Sequence, residues 1–261
     1  MTERVVVSID QGVADVRLAR ADKLNALDVA MFEALAEAGQ QLAQDRSLRA
    51  VVLSGEGRAF CAGIDLSSLG AGGRNLFERG PESPANFAQS AAWVWKTLPV
   101  PVIAAVHGVA FGGGLQIALA ADIRFVAPDA RLSVMEIKWG LVPDMSGSQT
   151  LRRLVRLDVA KELTFTGRIV SGSEAVELGL ATQLSDTPRE AALELARQIA
   201  TKSPDAIRAG KRLLEETGEL GVEAGLLLEE ELQRSVIGKP NQIESVHANR
   251  DKRDPRFEDP S

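Results

Sequence analysis

The sequence contains few of the residues that build disulfide frameworks and metal centres. Among its 261 residues are one cysteine, Cys61, and two histidines, His107 and His247. A single cysteine excludes an internal disulfide and fits a reducing compartment. Two histidines exclude a histidine-rich metal site. We therefore expect a protein that binds no metal.

The sequence also lacks a long apolar run, a signal peptide and an excess of positive charge. No run approaches the ~20 apolar residues that span a bilayer. The N-terminus has no charged start, apolar middle and cleavage site. The formal net charge is -6 and the pI about 5.2, which argues against the basic face that nucleic-acid binding needs. We expect a cytoplasmic protein that binds neither nucleic acid nor membrane.

Short β-rich runs alternate with amphipathic helical stretches in the first part of the chain. This alternation predicts an α/β fold class. A helix over residues 29–44 should begin at Asp28, whose side chain can cap it. The predicted strands are 5–9, 13–18, 50–54, 102–106, 121–126 and 131–137, and a second helix is predicted over 86–97.

From residue 150 the sequence is mostly helical. Helices are predicted at about 188–202, 204–216, 219–237 and 240–250. We expect residues 1–200 to form the core that carries the site. Residues 201–261 would form a helical C-terminal region that serves in oligomerisation and covers the active site. Packing of these helices on the parent core would give the same apolar pattern.

A glycine-rich corner follows the strand predicted at 102–106. Three glycines, at 112–114, open into an apolar run that can be helical. Glycine at a helix start lets another molecule approach the backbone. The first N–H groups of a helix have no partner within it, and its dipole favours negative charge. The corner can therefore bind an anion, or it can be a tight turn that needs glycine only for packing.

Three segments together resemble the crotonase family of enoyl-CoA hydratases and isomerases. They are R-A-F-C-A-G-I-D-L at 58–66, V-H-G-V-A-F-G-G-G-L-Q-I-A-L-A-A-D-I-R at 106–124 and M-E-I-K-W-G-L-V-P-D at 135–144. The loop 20–27 and the charged tail add to the resemblance, which covers essentially the whole chain. It implies a crotonase-like spiral of ββα units whose C-terminal helices trimerise, often as a hexamer formed by two trimers. It also implies an acyl-CoA substrate, and no cofactor apart from the CoA that the substrate carries.

The resemblance implies that two backbone N–H groups, those of Ile64 and Gly113, hold the thioester carbonyl oxygen. Loss of one such donor typically costs ~3–4 kcal/mol of barrier. Lys252 matches a position that can reach CoA phosphates, sometimes across subunits, although it could equally be a solvated tail charge. The other positions that the resemblance places along the CoA are Asp22, Lys23, Leu24, Ala62, Gly63, Asp65, Leu66 and Gly112.

The acid/base positions are where the sequence departs from a typical hydratase of this family. Such hydratases carry two glutamates, and the later one is present as Glu136. Gln116 stands at the position of the first. An amide can orient water but cannot exchange a proton near neutral pH. The departure argues against ordinary hydration, whereas Glu136 alone could serve an isomerase by removing a proton at one carbon and returning it at another.

Asp144 adds a second carboxyl eight residues after Glu136. Family members that resemble dienoyl-CoA isomerases carry aspartate here, although they also carry an acid where this chain has Gln116. Two carboxylates in one pocket push their pKa values apart, which leaves one as an acid and one as a base. Alternatively, Asp144 caps the helix that follows, in competition with Ser146 and Ser148.

The sequence thus predicts an enzyme that acts on unsaturated fatty acyl-CoA thioesters through an enolate. By family label it is a hydratase, and by site chemistry an isomerase that uses Glu136 and Asp144. The alternative from another class is a catalytically silent acyl-CoA-binding protein. Chain length would be set by a predicted acyl tunnel formed by Leu69, Leu76, Phe77 and Trp139.

Overall fold

The chain folds into two β-sheets surrounded by helices, in the α/β class that the alternating pattern predicts. The computed structural model describes residues 3–68, 75–80 and 83–260. The strands are Val5–Asp10 (β1), Val13–Leu18 (β2), Ala50–Gly55 (β3), Val102–Val106 (β4), Val109–Phe111 (β5), Ile123–Val126 (β6), Arg131–Ser133 (β7), Val170–Ser171 (β8) and Gln183–Leu184 (β9). The α-helices are Val29–Gln44 (α1), Phe87–Thr97 (α2), Gly113–Ala120 (α3), Gly147–Leu154 (α4), Leu157–Thr166 (α5), Gly172–Leu178 (α6), Pro188–Ala200 (α7), Pro204–Thr217 (α8), Val222–Val236 (α9) and Pro240–Asp251 (α10).

The larger sheet has the strand order β1-β2-β3-β4-β6-β9 and is covered on both faces. β1 pairs antiparallel with β2, and the remaining pairs are parallel. Along β3, Ala50 and Val52 pack in the apolar cluster under α7, whereas Val51 and Leu53 pack in the main core with α1 and α2. Because both faces of β3 are buried against apolar residues, its sequence is a continuous hydrophobic run.

The smaller sheet, β5-β7-β8, lies next to the site. The prediction of one strand over 131–137 was wrong in its second half. β7 ends at Ser133 because its partner β5 ends at Phe111, the last pair of that ladder. The chain then forms a 3-10 turn, Glu136–Trp139, that ends at Gly140 in a left-handed conformation.

The helix starts follow the local capping chemistry that the sequence carries. The predicted range 29–44 matches α1, and the Asp28 side chain accepts a hydrogen bond from the Met31 N–H at 2.9 Å. Asn86 caps the start of α2 in a capping box: its side-chain oxygen accepts from the Gln89 N–H, and the Gln89 amide oxygen accepts from the Asn86 N–H. These interactions satisfy N–H groups that the first helical turn leaves open.

The C-terminal helices are tied to the larger sheet through α8. The Lys211 ammonium donates to the Asp122 carboxylate at 2.8 Å and to the Val100 carbonyl at 2.9 Å. Further along, the tail residue Asp259 pairs with Arg49 at 2.6 Å. Within the described ranges, no helix is both long enough and apolar enough to span a bilayer.

Candidate active site

The glycine-rich corner joins β5 to the buried helix α3. Gly112 has φ 52° and ψ -122°, a conformation that only glycine adopts at low cost. A Cβ on Gly114 would lie 2.4 Å from the Cys61 carbonyl oxygen. The glycines therefore let the first turn of α3 lie directly against the segment that follows Cys61.

The two predicted oxyanion donors, Ile64 and Gly113, meet at this corner. Leu27 donates to the Gly63 carbonyl at 2.8 Å and accepts from the Asp65 N–H at 2.9 Å, so the Ile64 N–H points away from Leu27. A Cβ on Gly63 would lie 3.8 Å from the Gly113 nitrogen. Among the described residues, neither the Ile64 nor the Gly113 N–H donates to a protein acceptor. Both donors are therefore available to an oxygen of a bound molecule.

The loop predicted to lie along the CoA packs beside the same segment. Asp22 and Lys23 are exposed on a short 3-10 turn, and Leu24 follows with φ 52°. The Leu24 carbonyl accepts from the Ala62 N–H at 2.9 Å. The predicted CoA positions from Asp22 to Leu24, from Ala62 to Leu66, and Gly112 are thus brought together around the oxyanion donors.

The charges of this loop are paired within it. Arg20 lies 2.8 Å from Asp65 and also reaches Asp28 at 3.5 Å. The hydrogen bond from Ser67, followed by that from Arg20, holds the pKa of Asp65 below its ordinary value. Asp65 therefore stays ionised and fixes the loop through Arg20.

Asn25 is the buried side chain that holds the loop in place. It accepts from the Arg20 N–H at 2.9 Å and donates to the Glu56 carbonyl at 3.0 Å and the Ala59 carbonyl at 2.8 Å. The side chain is fully buried, so water cannot replace these partners.

We expect Asn25→Ala to destabilise the protein by about 2–3 kcal/mol, because it leaves buried backbone groups without partners. Urea unfolding followed by circular dichroism measures this change. Asn249→Ala is the matched control, because the Asn249 side chain donates to the Ser245 carbonyl on an exposed face. Equal unfolding midpoints for the two variants would contradict the structural role of Asn25.

Gln116 and Glu136 are bound to each other inside the site. The Gln116 amide oxygen accepts from the Met145 N–H and the Gly147 N–H, each at 2.8 Å. These two bonds fix the orientation of the amide, so its NH2 group donates to Glu136 Oε1 at 2.6 Å. Gln116 therefore positions Glu136 and has no proton to exchange.

The other oxygen of Glu136, Oε2, is buried and has no hydrogen-bond partner among the described residues. Burial raises the pKa of Glu136, the hydrogen bond from Gln116 opposes the rise, and the negative charge of Asp144 adds to it. The carboxylate is also close to the corner, since a Cβ on Gly112 would lie 3.3 Å from Oε1. Glu136 thus combines a free oxygen, a raised pKa and proximity to the oxyanion donors, as a general base or acid needs.

Asp144 lies at a cleft of about 370 Å³ between α2 and the start of α4. It is half-buried, and burial raises the pKa of its carboxyl. The alternative reading of Asp144 as the helix cap does not hold, because the residue before α4 is Ser146, with φ 71° and no capping hydrogen bond from its side chain. In the described part of the chain, no Lys, Arg or His side chain pairs with Asp144.

Lys252 lies away from the oxyanion donors, and the predicted tunnel residues lie partly outside the described residues. Lys252 is exposed just before a tail segment, 254–257, that lies beside Gln11 and Arg49 at the amino ends of β2 and β3. The oxyanion donors lie beyond the opposite, carboxyl ends, so Lys252 does not reach the CoA loop of its own chain. Of the predicted tunnel residues, Leu69 lies outside the described residues, Leu76 packs on the core, and Phe77 and Trp139 are 73% and 55% exposed.

Cys61 is buried beside the corner, and burial raises the pKa of its thiol to about 12. It is therefore a packing residue rather than a nucleophile. Across the described ranges, no three His, Cys, Asp or Glu side chains are grouped to hold a metal ion.

The sequence alone did not reveal the backbone N–H groups that orient Gln116, or the buried role of the Asn25 amide. The N–H groups of Met145 and Gly147 orient Gln116, and backbone donors leave no mark in side-chain identity. Asn25 is an isolated polar residue between apolar neighbours, and that pattern is the one available signal for its buried role. Gln89 completes the capping box of α2 and also lines the cleft, and neither role was predicted from the sequence.

Comparison with known proteins agrees with this geometry. A model of the family described as "Enoyl-CoA hydratase/isomerase" matches residues 8–260. A mitochondrial methylglutaconyl-CoA hydratase of Mus musculus is 32% identical over 255 residues, which are 95% of this chain and 80% of that protein. The mitochondrial Delta(3,5)-Delta(2,4)-dienoyl-CoA isomerase of the same species is 32% identical over 263 residues, with coverage of 95% and 80%.

Solved structures give the same result for the fold. An enoyl-CoA hydratase from Mycobacterium tuberculosis superposes with a TM-score of 0.90 at 30% identity, covering 99% of this chain and 100% of that one. An enoyl-CoA hydratase from Bacillus anthracis superposes with a TM-score of 0.88 at 30% identity, covering 98% and 100%. The family match, the relatives and the fold agree with the paired N–H donors and the buried glutamate, and the chain therefore belongs to the enoyl-CoA hydratase/isomerase family of the crotonase superfamily.

Proposed function

We propose that this protein is a double-bond isomerase of unsaturated acyl-CoA thioesters, with Glu136 as the acid/base group at the carbon next to the thioester. The observation that carries the proposal is the bond between Gln116 and Glu136, which leaves a fixed amide where a second glutamate would serve hydration. Glu136 Oε2 is the free oxygen that takes the proton.

The reaction begins when Glu136 removes a proton from C2, and the C–H electron pair moves onto the thioester oxygen. The N–H groups of Ile64 and Gly113 stabilise that oxygen, at the start of a helix whose dipole adds to the effect. A proton then returns to the far end of the conjugated enolate, at C4 of a 3-enoyl or C6 of a 3,5-dienoyl ester. The double bonds have moved one position, and no water has been added.

Asp144 supplies the second carboxyl for the distal carbon. Glu136 lies at the corner that holds the thioester, whereas Asp144 lines the neighbouring cleft. In its protonated form Asp144 donates to the distal carbon, and a proton then passes from Glu136 to Asp144, directly or through solvent, to restore the starting state. The similarity to a dienoyl-CoA isomerase fits this division of roles.

Hydration is the second candidate, because similar proteins carry hydratase names. Glu136 could activate a water molecule, with Asp144 as its partner in place of the missing glutamate. The third candidate, a silent acyl-CoA-binding protein, keeps the oxyanion donors and turns over no ester.

Three CoA esters separate these functions. Purified protein is mixed with 2-enoyl-CoA, 3-enoyl-CoA and 3,5-dienoyl-CoA, and the absorbance of conjugated thioester is followed. The isomerase produces the conjugated chromophore from the 3-enoyl ester and leaves the 2-enoyl ester unhydrated. Rapid loss of the 2-enoyl chromophore would favour the hydratase, and binding without any change would favour the silent protein.

The pH dependence of isomerisation should reflect the two carboxyls. Glu136 must be ionised, so the rate should fall as the pH drops through its pKa, which lies above the ordinary 4.5. Asp144 must hold a proton, so the rate of dienoyl isomerisation should also fall at high pH, and both midpoints belong to the coupled pair. Asp144→Asn should abolish the fall at high pH in any remaining activity, because the carboxyl that must hold a proton is gone. A fall at high pH that persists in the variant would contradict the role of Asp144, and steady-state rates over a pH series measure it.

We also propose that the protein acts as a homotrimer, or as a hexamer of two trimers, in which residues 201–261 contribute the contacts. Large apolar side chains exposed on the C-terminal helices support this assembly, among them Leu214, Val222, Leu226, Leu227 and Val246. Because Lys252 does not reach the CoA loop of its own chain, a role in binding CoA phosphates requires a neighbouring subunit. A cytoplasmic location stays a prediction.

A further inference from the structure

The cleft beside Asp144 carries several side chains that form hydrogen bonds. Its walls come from α2 and from the segment that starts α4. Among the described residues that line it, the apolar ones are Pro84, Ala85 and Trp93, and the polar ones are Gln89, Asp144, Ser146, Ser148 and Gln149. A site for a plain hydrocarbon chain would be lined mainly by apolar side chains.

Gln89 lines this cleft, and one end of its amide is fixed by the capping box. Its amide oxygen accepts from the Asn86 N–H at 3.0 Å in the capping box of α2. The oxygen is therefore committed to the protein, and the NH2 group is the end that remains. Among the described residues, that NH2 group donates to no protein acceptor.

Asp144 and Ser148 provide further hydrogen-bonding groups of the cleft, from the segment that starts α4. The Asp144 carboxyl forms no ion pair with a cation in the described part of the chain. The Ser148 oxygen accepts from the Gln149 amide at 3.1 Å, so its own O–H remains free to donate. The cleft thus offers an unpaired carboxyl that accepts and two groups, Gln89 and Ser148, that donate.

We propose that this cleft is a subsite for a hydroxyl group carried by the acyl chain beyond the reacting double bond. A hydroxyl accepts and donates at one atom, so it can receive a bond from Gln89 and give one to Asp144. A plain chain would leave these groups without partners once water is excluded. A terminal carboxylate would face Asp144 with no Lys, Arg or His among the described residues that line the cleft. The substrate class is therefore hydroxylated unsaturated acyl-CoA, and this specificity rests on the proposed function of the site.

Saturated esters test the subsite by binding alone, because they have no double bond to move. Isothermal titration is carried out with hexanoyl-CoA, with 4-, 5- and 6-hydroxyhexanoyl-CoA, and with adipoyl-CoA, which ends in a carboxylate. We expect at least one hydroxylated ester to bind about 5-fold or more tighter than hexanoyl-CoA, as one additional satisfied hydrogen bond would give. Adipoyl-CoA should bind more weakly than hexanoyl-CoA at a pH above the alkaline fall of the isomerisation rate, where Asp144 is ionised. Hydroxylated esters that bind no tighter than hexanoyl-CoA, or adipoyl-CoA that binds tightest, would overturn the proposal.

Gln89→Glu is the matched variant. It keeps an oxygen to accept the capping bond from Asn86, so α2 keeps its start, and it replaces the NH2 donor by a charged oxygen that cannot donate. The ratio of hexanoyl to hydroxyhexanoyl dissociation constants should fall to near 1 in this variant. It should be unchanged in Gln198→Glu, the same substitution at an exposed position of α7. A ratio that survives Gln89→Glu would contradict the role of the amide.

The two proposals can fail separately. A hydroxyl preference in binding, together with no isomerisation of any unsaturated ester, would uphold the subsite and overturn the isomerase. Isomerisation without a hydroxyl preference in binding would uphold the isomerase and overturn the subsite.

Discussion

Glu136→Gln is expected to reduce isomerisation of 3-enoyl-CoA by about 10³-fold, within the 10²–10⁴-fold range typical of a lost general acid or base. The substitution keeps the size of the side chain and removes its ability to take a proton. Glu136 has one oxygen held by Gln116 and one free oxygen, so this side chain is the single proton acceptor next to the oxyanion corner in the described part of the site. Single-turnover measurements with saturating protein give the loss in the chemical step itself.

Binding shows whether the loss is chemical or structural. Hexanoyl-CoA should bind to Glu136→Gln within about 3-fold of its affinity for the original protein, since the thioester is held by backbone N–H groups. Glu177→Gln, an exposed position on α6, serves as a control for the substitution. Full activity of Glu136→Gln would remove Glu136 from the mechanism.

Gln116→Glu is expected to create hydration activity on 2-enoyl-CoA, with a gain of about 10²-fold, the usual contribution of one acid/base group. One oxygen of the new carboxyl can still accept from the Met145 and Gly147 N–H groups. The other would then lie where the NH2 group now lies, 2.6 Å from Glu136 Oε1. Two carboxyls that close must share a proton, so one becomes an acid and the other a base.

Gln116→Met is the control that distinguishes the effect of the new carboxyl from the effect of losing the amide. It removes the donation to Glu136 and the two bonds from Met145 and Gly147 without adding an acid, so it should lower isomerisation and give no hydration. Conversion of 2-enoyl-CoA to the 3-hydroxyacyl ester, followed by chromatography, compares the two variants. Equal hydration in Gln116→Glu and the original protein would mean that residue 116 does not decide between the two reactions.

Local elements of the fold could be predicted because their determinants are close in sequence. Asp28 and the apolar spacing that follows fixed α1 to the residue. The helix predicted over 86–97 begins one residue later, because Asn86 caps α2 from outside it. The strand over 131–137 failed because its length is set by β5, its partner from another part of the chain. A β-rich pattern shows that a residue can extend, but it does not show where the neighbouring strand stops.

The candidate site, like the fold, has residues that the sequence identified and hydrogen bonds that it could not reveal. The motif resemblance identified Ile64, Gly113 and Glu136, and the structure places all three at one corner. The bond from Gln116 to Glu136 joins residues 20 positions apart, and backbone donors of a third segment orient it. Such long-range hydrogen bonds depend on how the segments pack, which side-chain identity does not reveal. The distance of Lys252 from the CoA loop likewise follows from the path of the C-terminal tail.

The central claim is that Glu136 moves a double bond without adding water. The most direct measurement is to incubate 3-enoyl-CoA and 2-enoyl-CoA separately with the protein in deuterated water, and to determine the mass of each product. We expect 2-enoyl-CoA from the 3-enoyl ester, with no solvent molecule gained, and no hydroxyacyl ester from the 2-enoyl ester. A product from the 2-enoyl ester that is heavier by one molecule of solvent water, formed at a rate that exceeds isomerisation, would contradict the claim.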